Sequence, residues 1–298
     1  MQQEKRQRKP EWLRVRLPSG ETYSEVNKLL NSSGLNTVCK EANCPNIGEC
    51  FNQRTATFLI LGDVCTRGCR FCNVTKGMTK PVDYEEPERV ALAAKEMGLK
   101  HIVVTSVTRD DLKDGGAGIY AQTISMIRKH NPESTVEVLI PDFKGSIESL
   151  NIVLNESPDV LNHNIETVPR LYKIVRPGAI YEQSLHLLEH VKKVRPDILT
   201  KSGLIVGLGE ELNEVLEVMT DLRSACCEIL TIGQYLSPGK RHLQVERYYH
   251  PDEFEELKKK GLELGFSHLE SGPLVRSSYH AVDHFNISAF HRRLDKPL

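Results

Sequence analysis

Apolar runs rich in β-branched residues recur along the middle of the chain, and each has the length and composition of a buried strand. Between the runs, apolar residues repeat at the helical spacing i, i+3, i+4 and i+7, as in Val90, Ala93, Ala94 and Met97. The runs predict six strands, at residues 57–64, 100–107, 135–141, 159–166, 200–209 and 228–236.

Strands that alternate with helices favour an α/β fold with parallel strands and right-handed crossovers. An open doubly wound sheet and a complete or partial barrel both fit this order. No G-x-G-x-x-G motif follows the first strand, which weakens a dinucleotide-binding interpretation. In either architecture, functional side chains gather at the carboxyl ends of the strands. The segment CTRGCRFC (65–72) follows the first strand, so we expect its cysteines at that edge.

The overall composition excludes some classes of function. The chain has 298 residues, 39 basic and 40 acidic, and this balance argues against a dedicated nucleic-acid binder. No apolar run is long enough to span a bilayer, and the amino terminus lacks the apolar core of a secretory signal. We therefore expect a cytoplasmic protein with no membrane partner. In a reducing compartment, clustered cysteines favour metal binding or catalysis over disulfides.

Three cysteines in CTRGCRFC have the spacing C-x3-C-x2-C. A structural zinc site needs four ligands, and a 4Fe–4S cluster normally takes four cysteines. With three cysteines, one iron keeps an open position that an amine and a carboxylate can chelate. We expect Gly68 to help the loop wrap through a positive φ, and Phe71 to shield a cluster from water. A zinc knuckle and buried thiols are the alternatives.

This spacing, with an aromatic residue before the last cysteine, resembles the signature of the radical S-adenosylmethionine superfamily. The resemblance implies that Cys65, Cys69 and Cys72 hold a catalytic 4Fe–4S cluster whose open iron binds S-adenosylmethionine. It also implies one-electron cleavage of the sulfonium to a 5′-deoxyadenosyl radical. The implied fold is a partial (β/α)6 barrel, which agrees with the six predicted strand–helix units.

A second triplet, Cys39, Cys44 and Cys50, lies in CKEANCPNIGEC. A second cluster, or a zinc site that borrows a ligand, would explain it. One source of the missing ligand is Cys226 and Cys227, which we expect to pack in the core instead. The other is GPLVRSSYHA (272–281), a polar and turn-like segment.

The two triplets and R-S-S-Y together resemble the lipoyl synthase family, and the likeness runs along nearly the whole chain. Further blocks similar to that family are TRDDLKDGGAG, NHNIETV, TKSGLIVGLGE, ILTIGQYL and YHPDEF. The resemblance implies that Ser278 completes an auxiliary 4Fe–4S cluster, with its neighbour Ser277 the weaker candidate. The implied organisation is an N-terminal extension with the auxiliary cysteines (1–55), a barrel (56–266) and a C-terminal extension with R-S-S-Y (267–298).

The family's reaction inserts sulfur at carbons 6 and 8 of an octanoyl chain on a lysine of a carrier domain. The resemblance implies that the auxiliary cluster donates the sulfur. The implied partners are octanoylated domains of 2-oxo acid dehydrogenase E2 subunits or the glycine-cleavage carrier protein, and flavodoxin or ferredoxin as electron donor. Two alternative functions are a methylthiotransferase of the same superfamily and a non-catalytic iron–sulfur electron carrier. The first would usually add a nucleic-acid-binding module, and the second needs fully ligated clusters. We find neither feature in this sequence.

Several polar residues are candidates for contacts with S-adenosylmethionine. Asn162, Asn164 and Glu166 alternate at the end of a predicted strand, so they face one side, where they would bind ribose hydroxyls or the ammonium group. Interstrand polar packing is the alternative. Arg176 offers a bidentate contact to the methionine carboxylate. Lys201 and Gln234, at the two ends of later strands, are further candidates.

The remaining motifs predict less. RDDLKDGGAG (109–118) is interpreted as a loop at the edge of the barrel, since it lacks the basic residues of a phosphate cradle. The histidines are scattered and none forms H-E-x-x-H, so no histidine metal site is predicted. The tail 282–298 shows no interpretable pattern.

Overall fold

A computed structural model describes residues 8–15 and 17–294, with side chains described up to residue 291. The described residues form ten strands, namely β1 (Asn36–Thr37), β2 (Thr57–Ile60), β3 (Val64–Cys65), β4 (Thr75–Lys76), β5 (His101–Ser106), β6 (Thr135–Leu139), β7 (Val160–Asn162), β8 (Leu199–Val206), β9 (Ile229–Gln234) and β10 (His268–Gly272).

Eleven α-helices are described, namely α1 (Glu21–Ser32), α2 (Val38–Glu41), α3 (Ile47–Asn52), α4 (Glu86–Met97), α5 (Ala117–His130), α6 (Ile147–Asn155), α7 (Tyr172–Val175), α8 (Tyr181–Val194), α9 (Leu212–Ser224), α10 (Pro251–Glu263) and α11 (Ala281–Leu294). Short 3-10 helices span Glu11–Leu13, Phe143–Gly145 and Pro169–Leu171. The stripe around Val90 lies in α4, which has proline in its first turn and ends at Gly98 with φ of 69°. That left-handed position suits glycine.

Eight strands form one sheet in the order β1-β2-β5-β6-β7-β8-β9-β10, and β3 pairs with β4 separately. β1 is antiparallel to β2, and every other pair in the large sheet is parallel. The six predicted strands are β2 and β5–β9, so these elements are confirmed. β10 is a further parallel strand, and it extends the sheet beyond residue 266. Its sequence HLESG was not recognised because it alternates over only five residues.

The helices cover the sheet through a continuous apolar core, in which Ile60, Ile102 and Val138 are fully buried. Burial of such side chains is the main stabilising contribution to the fold. One close approach fixes the loop after β5. Gly116 has φ of 92°, and a Cβ on it would lie 2.3 Å from the Leu61 side chain. Glycine is therefore required at that position.

A buried ion pair lies within the sheet. The Nζ of Lys201 donates to the two carboxylate oxygens of Glu137 at 2.9 and 3.1 Å, and both side chains are almost completely buried. Burial opposes ionisation of Glu137, but Lys201 and His101 outweigh it and lower the pKa of this carboxyl. Asn162 also donates to Glu137, at 2.9 Å. The carboxylate on β6 therefore organises polar groups from three other strands, β5, β7 and β8.

The last helix, α11, contacts β5 and β10. Phe285 on α11 packs against Val160, Leu199 and Ile229, the first residues of β7, β8 and β9. Its ring also stacks on His101 at 5.8 Å between centroids. α11 therefore lies against the amino ends of the strands, at the end of the sheet opposite to the cysteine loop. In the described part of the chain, no helix is long and apolar enough to cross a bilayer.

Replacing Lys201 with Met is expected to destabilise the fold, because it leaves the Glu137 carboxylate buried without its counter-ion. Removal of one member of a buried pair costs about 3–5 kcal/mol. For a chain of this size, that loss lowers Tm by more than about 6 °C. The double variant Lys201→Met/Glu137→Gln removes the stranded charge and should recover much of the loss. Anaerobic thermal unfolding measured by circular dichroism would contradict the assignment if the single variant melted like the wild type.

Candidate functional site

The loop that carries the first cysteine triplet begins just beyond β2, at the carboxyl edge of the sheet. Two backbone N–H groups point at the sulfur of Cys65, from Thr108 at 3.3 Å and Arg67 at 3.4 Å. The Cys65 carbonyl accepts from the N–H of Gly77 at 3.2 Å. These three hydrogen bonds fix the position of Cys65 at this edge of the sheet.

Arg67, between the first two cysteines, fastens this loop to the next two strands. Its guanidinium donates to Asp110 at 2.8 Å and to Asp142 at 2.6 Å. These acids follow β5 and β6, and the Arg67 side chain is only 8% exposed. The loop 109–118 therefore lies at the edge of the sheet, as predicted. This role of Arg67 and Asp110 was not predicted, because the two residues are 43 positions apart and no local pattern in the sequence connects them.

The other end of the loop is held by residues from distant parts of the chain. The N–H of Arg70 donates to Val175 at 2.9 Å, and the Cys72 carbonyl contacts the Nε2 of His242 at 3.2 Å. Phe71 is half-buried against the core, consistent with a shielding role. The expectation for Gly68 is wrong, because it does not have a positive φ. A Cβ built on Gly68 would have open space around it. The loop turns at this point without a left-handed residue.

All eight cysteines lie in the described residues and are free. Burial raises the pKa of Cys72 to about 12, with further contributions from the charges of Cys69 and Cys65. Burial likewise raises the pKa of Cys69. These mutual effects place the three thiols together. Buried thiols of this kind lose their protons when a metal binds, so the donor set fits an iron–sulfur cluster.

The second triplet is assembled by two short helices. Cys39 lies in α2 and Cys50 in α3, with Cys44 between them. Burial raises the pKa of Cys50 to about 12, and the charges of Cys39 and Cys44 add to this effect. Burial also raises the pKa of Cys39 to about 11. This set of three neighbouring thiols fits a second cluster by the same chemistry.

The segment 272–281 lies on the second triplet, although more than 220 residues separate them in sequence. Asn46 donates to the Leu274 carbonyl at 2.7 Å. Glu49 accepts from the Tyr279 hydroxyl at 3.1 Å and pairs with His280 at 3.2 Å. Arg276 is close enough to lower the pKa of Cys44 against the larger effect of burial. R-S-S-Y is therefore next to the three thiols that lack a fourth ligand.

The two serines of R-S-S-Y have different surroundings. The Ser277 hydroxyl accepts from Asn162 at 2.8 Å and donates to Asn164 at 2.9 Å. Over the described ranges 8–15 and 17–294, the Ser278 hydroxyl forms no such hydrogen bond. Ser277 is therefore occupied in the fold, whereas Ser278 has a hydroxyl available for a metal. This contrast supports the sequence-based choice of Ser278.

Asn162, Asn164 and Glu166 lie close together, as their alternation predicts. Asn164 donates to Glu166 at 3.0 Å, and Glu166 has a left-handed φ of 68°. Burial raises the pKa of Glu166, while Arg176 opposes the rise. A Cβ on Gly203 would lie 2.7 Å from the Asn164 side chain, so glycine permits this packing.

Arg176 is buried beside this group. One of its Nη atoms donates to the carbonyls of Asn164 and Ile165, at 2.9 and 3.2 Å. In the described part of the chain, its Nε is buried without a partner. Burial opposes the charge of Arg176, but Tyr172, Glu166 and Cys69 outweigh burial and raise its pKa. Arg176 therefore lies near both Glu166 and the first cysteine triplet.

Two other candidates for S-adenosylmethionine contacts are engaged elsewhere. Lys201 is bound to Glu137. The Gln234 amide donates to backbone carbonyls of Val206, Tyr235 and Arg247, and its oxygen accepts from Tyr249. These contacts give no support to a cofactor-binding role for either side chain. Their strand positions alone suggested the role, but hydrogen bonding within the fold satisfies both side chains.

The expectation for the adjacent pair Cys226 and Cys227 holds for one residue only. Cys227 is fully buried in the core. Cys226 is exposed, and its left-handed φ of 58° turns the chain between α9 and β9. The expectation that Cys226 packs in the core is therefore wrong, because the turn directs it to solvent.

Two family models match the chain. The model of the radical SAM superfamily matches residues 59–222, which is more than half of the chain. The model of the N-terminal domain of lipoyl synthase of the radical SAM family matches residues 1–44. The second match ends at Cys44, so it includes two cysteines of the second triplet.

Full-length relatives extend these matches. A lipoyl synthase of Oceanobacillus iheyensis is 55% identical over 288 residues, with 96% of this chain and 92% of the relative covered. A lipoyl synthase of Caldanaerobacter subterraneus subsp. tengcongensis is 58% identical over 274 residues, covering 92% and 96%. Among solved structures, HydG, a maturase of the FeFe-hydrogenase, has a TM-score of 0.55 at 14% identity, covering 83% of this chain and 56% of its own. That likeness shows the fold alone.

These findings confirm the predicted partial radical SAM barrel with its extensions, and the predicted class of enzyme. The cofactors follow from the family as two 4Fe–4S clusters and S-adenosylmethionine, and the donor sets described above fit them. Identity above 50% to these lipoyl synthases, across almost the whole of this chain and of each relative, argues against a methylthiotransferase or an electron carrier. The chain belongs to the lipoyl synthase family of the radical SAM superfamily.

Proposed function

We propose that this chain inserts two sulfur atoms, at carbons 6 and 8, into an octanoyl group carried on a lysine of a lipoyl carrier protein. The observation that carries the proposal is the meeting of R-S-S-Y with the second cysteine triplet. Asn46 and Glu49 hold the segment 272–281 there. The catalytic cluster is assigned to Cys65, Cys69 and Cys72, and the auxiliary cluster to Cys39, Cys44, Cys50 and Ser278.

When bound, the first cluster and S-adenosylmethionine supply hydrogen-atom abstraction, and the auxiliary cluster supplies sulfur. The chain's own residues link the two donor sets to each other. Asn73, next to Cys72, donates to the Glu41 carbonyl of α2 at 2.9 Å, which joins the first cysteine loop to the helix that carries Cys39. Arg276 lies near both Cys44 of the second set and Glu166, the candidate for contact with S-adenosylmethionine.

Glu166 and Arg176 are proposed to hold the amino-acid part of S-adenosylmethionine. A carboxylate suits an ammonium or ribose hydroxyls, and a guanidinium suits a carboxylate. Arg176 already orients the backbone of residues 164 and 165 through its Nη, and its Nε lacks a partner. Asn164 keeps the carboxylate of Glu166 in place. Asn162 supports this group indirectly, through Ser277.

Three further assignments concern the carrier proteins, the electron donor and the division of the chain into parts. We propose as substrates the octanoylated domains of 2-oxo acid dehydrogenase E2 subunits or the glycine-cleavage carrier protein, with flavodoxin or ferredoxin as electron donor. The division into 1–55, 56–266 and 267–298 describes the two extensions around the barrel, with β10 continuing the sheet into the third part. A cytoplasmic location stays a prediction from the sequence.

Replacing Ser278 with Cys is expected to keep the auxiliary cluster and to slow sulfur insertion by about tenfold or more. Alkoxide oxygen is a poorer match than thiolate for a sulfide-bridged iron, so serine is the ligand released most easily. The assay supplies an octanoyl-lysyl peptide, a reductant and S-adenosylmethionine without oxygen. Mass spectrometry then measures two added sulfur atoms and 5′-deoxyadenosine.

Ser277→Cys is the matched control, because it changes the neighbouring serine by the same atom. It should leave the auxiliary cluster unaltered in its spectrum, even if the lost hydrogen bonds lower activity. Iron and sulfide analysis should find about eight irons per chain, as expected for two cubanes. A Ser278→Cys enzyme as fast as the wild type would refute the ligand-release role of Ser278.

Replacing Glu166 with Gln is expected to weaken S-adenosylmethionine binding by about tenfold or more, because a charge-assisted hydrogen bond becomes a neutral one. Equilibrium dialysis on the cluster-loaded protein measures the Kd directly. Glu189→Gln, an exposed change on α8, is the control and should bind normally. An unchanged Kd for the Glu166 variant, at full iron content, would exclude Glu166 from the binding site.

A further inference from the structure

A third group of side chains that could hold a metal ion lies between β10 and α11, away from both cysteine triplets. It consists of His268, Glu270 and His284. One ligand atom from each residue lies within 4.8 Å of the other two. His268 and Glu270 are two residues apart on a strand, so their side chains share one face. The Nε2 of His268 is 3.7 Å from Glu270.

His284 is the unusual member of the group. The residue is 1% exposed, and neither ring nitrogen has a hydrogen-bond partner among the described residues. Within the same described ranges, the Nε2 of His268 is also buried without one, and the two imidazole rings are 4.7 Å apart. Buried polar atoms in native proteins are nearly always satisfied, and leaving one unpaired is costly. One nitrogen of each imidazole lies within 4.8 Å of a Glu270 carboxylate oxygen, and this arrangement indicates a ligand between the three side chains.

We propose that His268, Glu270 and His284 bind a divalent cation, with Zn²⁺ the best match. Two imidazoles and one carboxylate form a donor set that zinc uses, leaving a fourth position for water. Tetrahedral zinc with bonds of about 2.0–2.1 Å holds its ligand atoms roughly 3.3 Å apart. The three side chains must therefore approach one another by up to about 1.5 Å when the cation binds.

The surrounding charges permit this binding. Burial lowers the pKa of His284 and of His268, so both imidazoles are neutral and have lone pairs for a metal. The nearby Lys201 ammonium is compensated by Glu137. Lys258 lies 3.2 Å from Glu270, so the cation competes with a partly exposed ion pair that contributes little.

The position of the group indicates a structural role. His268 is the first residue of β10, at the amino edge of the sheet, whereas the cysteine loop follows the carboxyl edge. A cation here would join α11 to β10 on either side of the segment that contains R-S-S-Y. It would thus limit the movement of residues 271–283 without touching either cluster. This inference does not depend on the proposed function.

The test uses protein that already carries both iron–sulfur clusters, so that the six cluster cysteines are occupied. After dialysis against Zn²⁺, elemental analysis is expected to find one zinc per chain in addition to iron. X-ray absorption at the zinc edge should give only Zn–N/O distances of about 2.0–2.1 Å, without the Zn–S distance of about 2.3 Å. Added Zn²⁺ should also raise the Tm, because it binds the folded state.

His284→Gln and Glu270→Gln are each expected to weaken zinc binding at least about tenfold and to remove the rise in Tm. His186→Gln, an exposed change on α8, is the control and should bind zinc like the wild type. Because Glu270 is only half-buried, the Glu270→Gln variant keeps the proposal testable if the His284→Gln variant fails to fold. Absence of extra zinc, zinc bound through sulfur, or unchanged binding in both variants would overturn the proposal.

Discussion

A connected set of buried polar groups determines where the C-terminal segment lies. Lys201 neutralises Glu137, Glu137 accepts from Asn162, and Asn162 donates to Ser277. Ser277 in turn donates to Asn164. Each of these groups would be costly to bury alone, so they are stable only together. The ordering of R-S-S-Y at the second triplet follows from this requirement, because Ser277 hydrogen-bonds to two side chains at the carboxyl end of β7.

The arrangement explains the assignment of the two adjacent serines. Ser277 acts in the fold, and its neighbour Ser278 belongs to the segment that lies on the second triplet. An auxiliary cluster bound there would join the two ends of the chain, which raises the stability of the bound form by mass action. Loss of one iron would remove that link, but the contacts of Asn46, Tyr279 and His280 would still hold the segment.

Much of the fold and of the candidate site could be predicted from the sequence, because local patterns determine the strands and the cysteine triplets. β-branched runs gave the six strands, and the cysteine spacing gave the two triplets. What could not be predicted depends on contacts between distant residues. No local signal shows that Arg67 meets Asp142, or that the Gln234 amide is consumed by backbone groups. Positions at strand ends suggested Lys201 and Gln234, but only the folded structure shows that their polar atoms are already paired.

The histidines are another case in which distant residues meet without a local signal. No sequence motif predicted a histidine metal site. Metal ligands that lie on one helix have a fixed spacing, but ligands on a strand and a separate helix have none. His268 and His284 are 16 residues apart and meet only because β10 extends the sheet and α11 packs against its amino edge. A cluster that gives up sulfur needs a ligand that leaves, yet the segment with that ligand must stay in place. A permanent connection at the opposite end of the sheet would meet both requirements, since it holds α11 while Ser278 is free to dissociate.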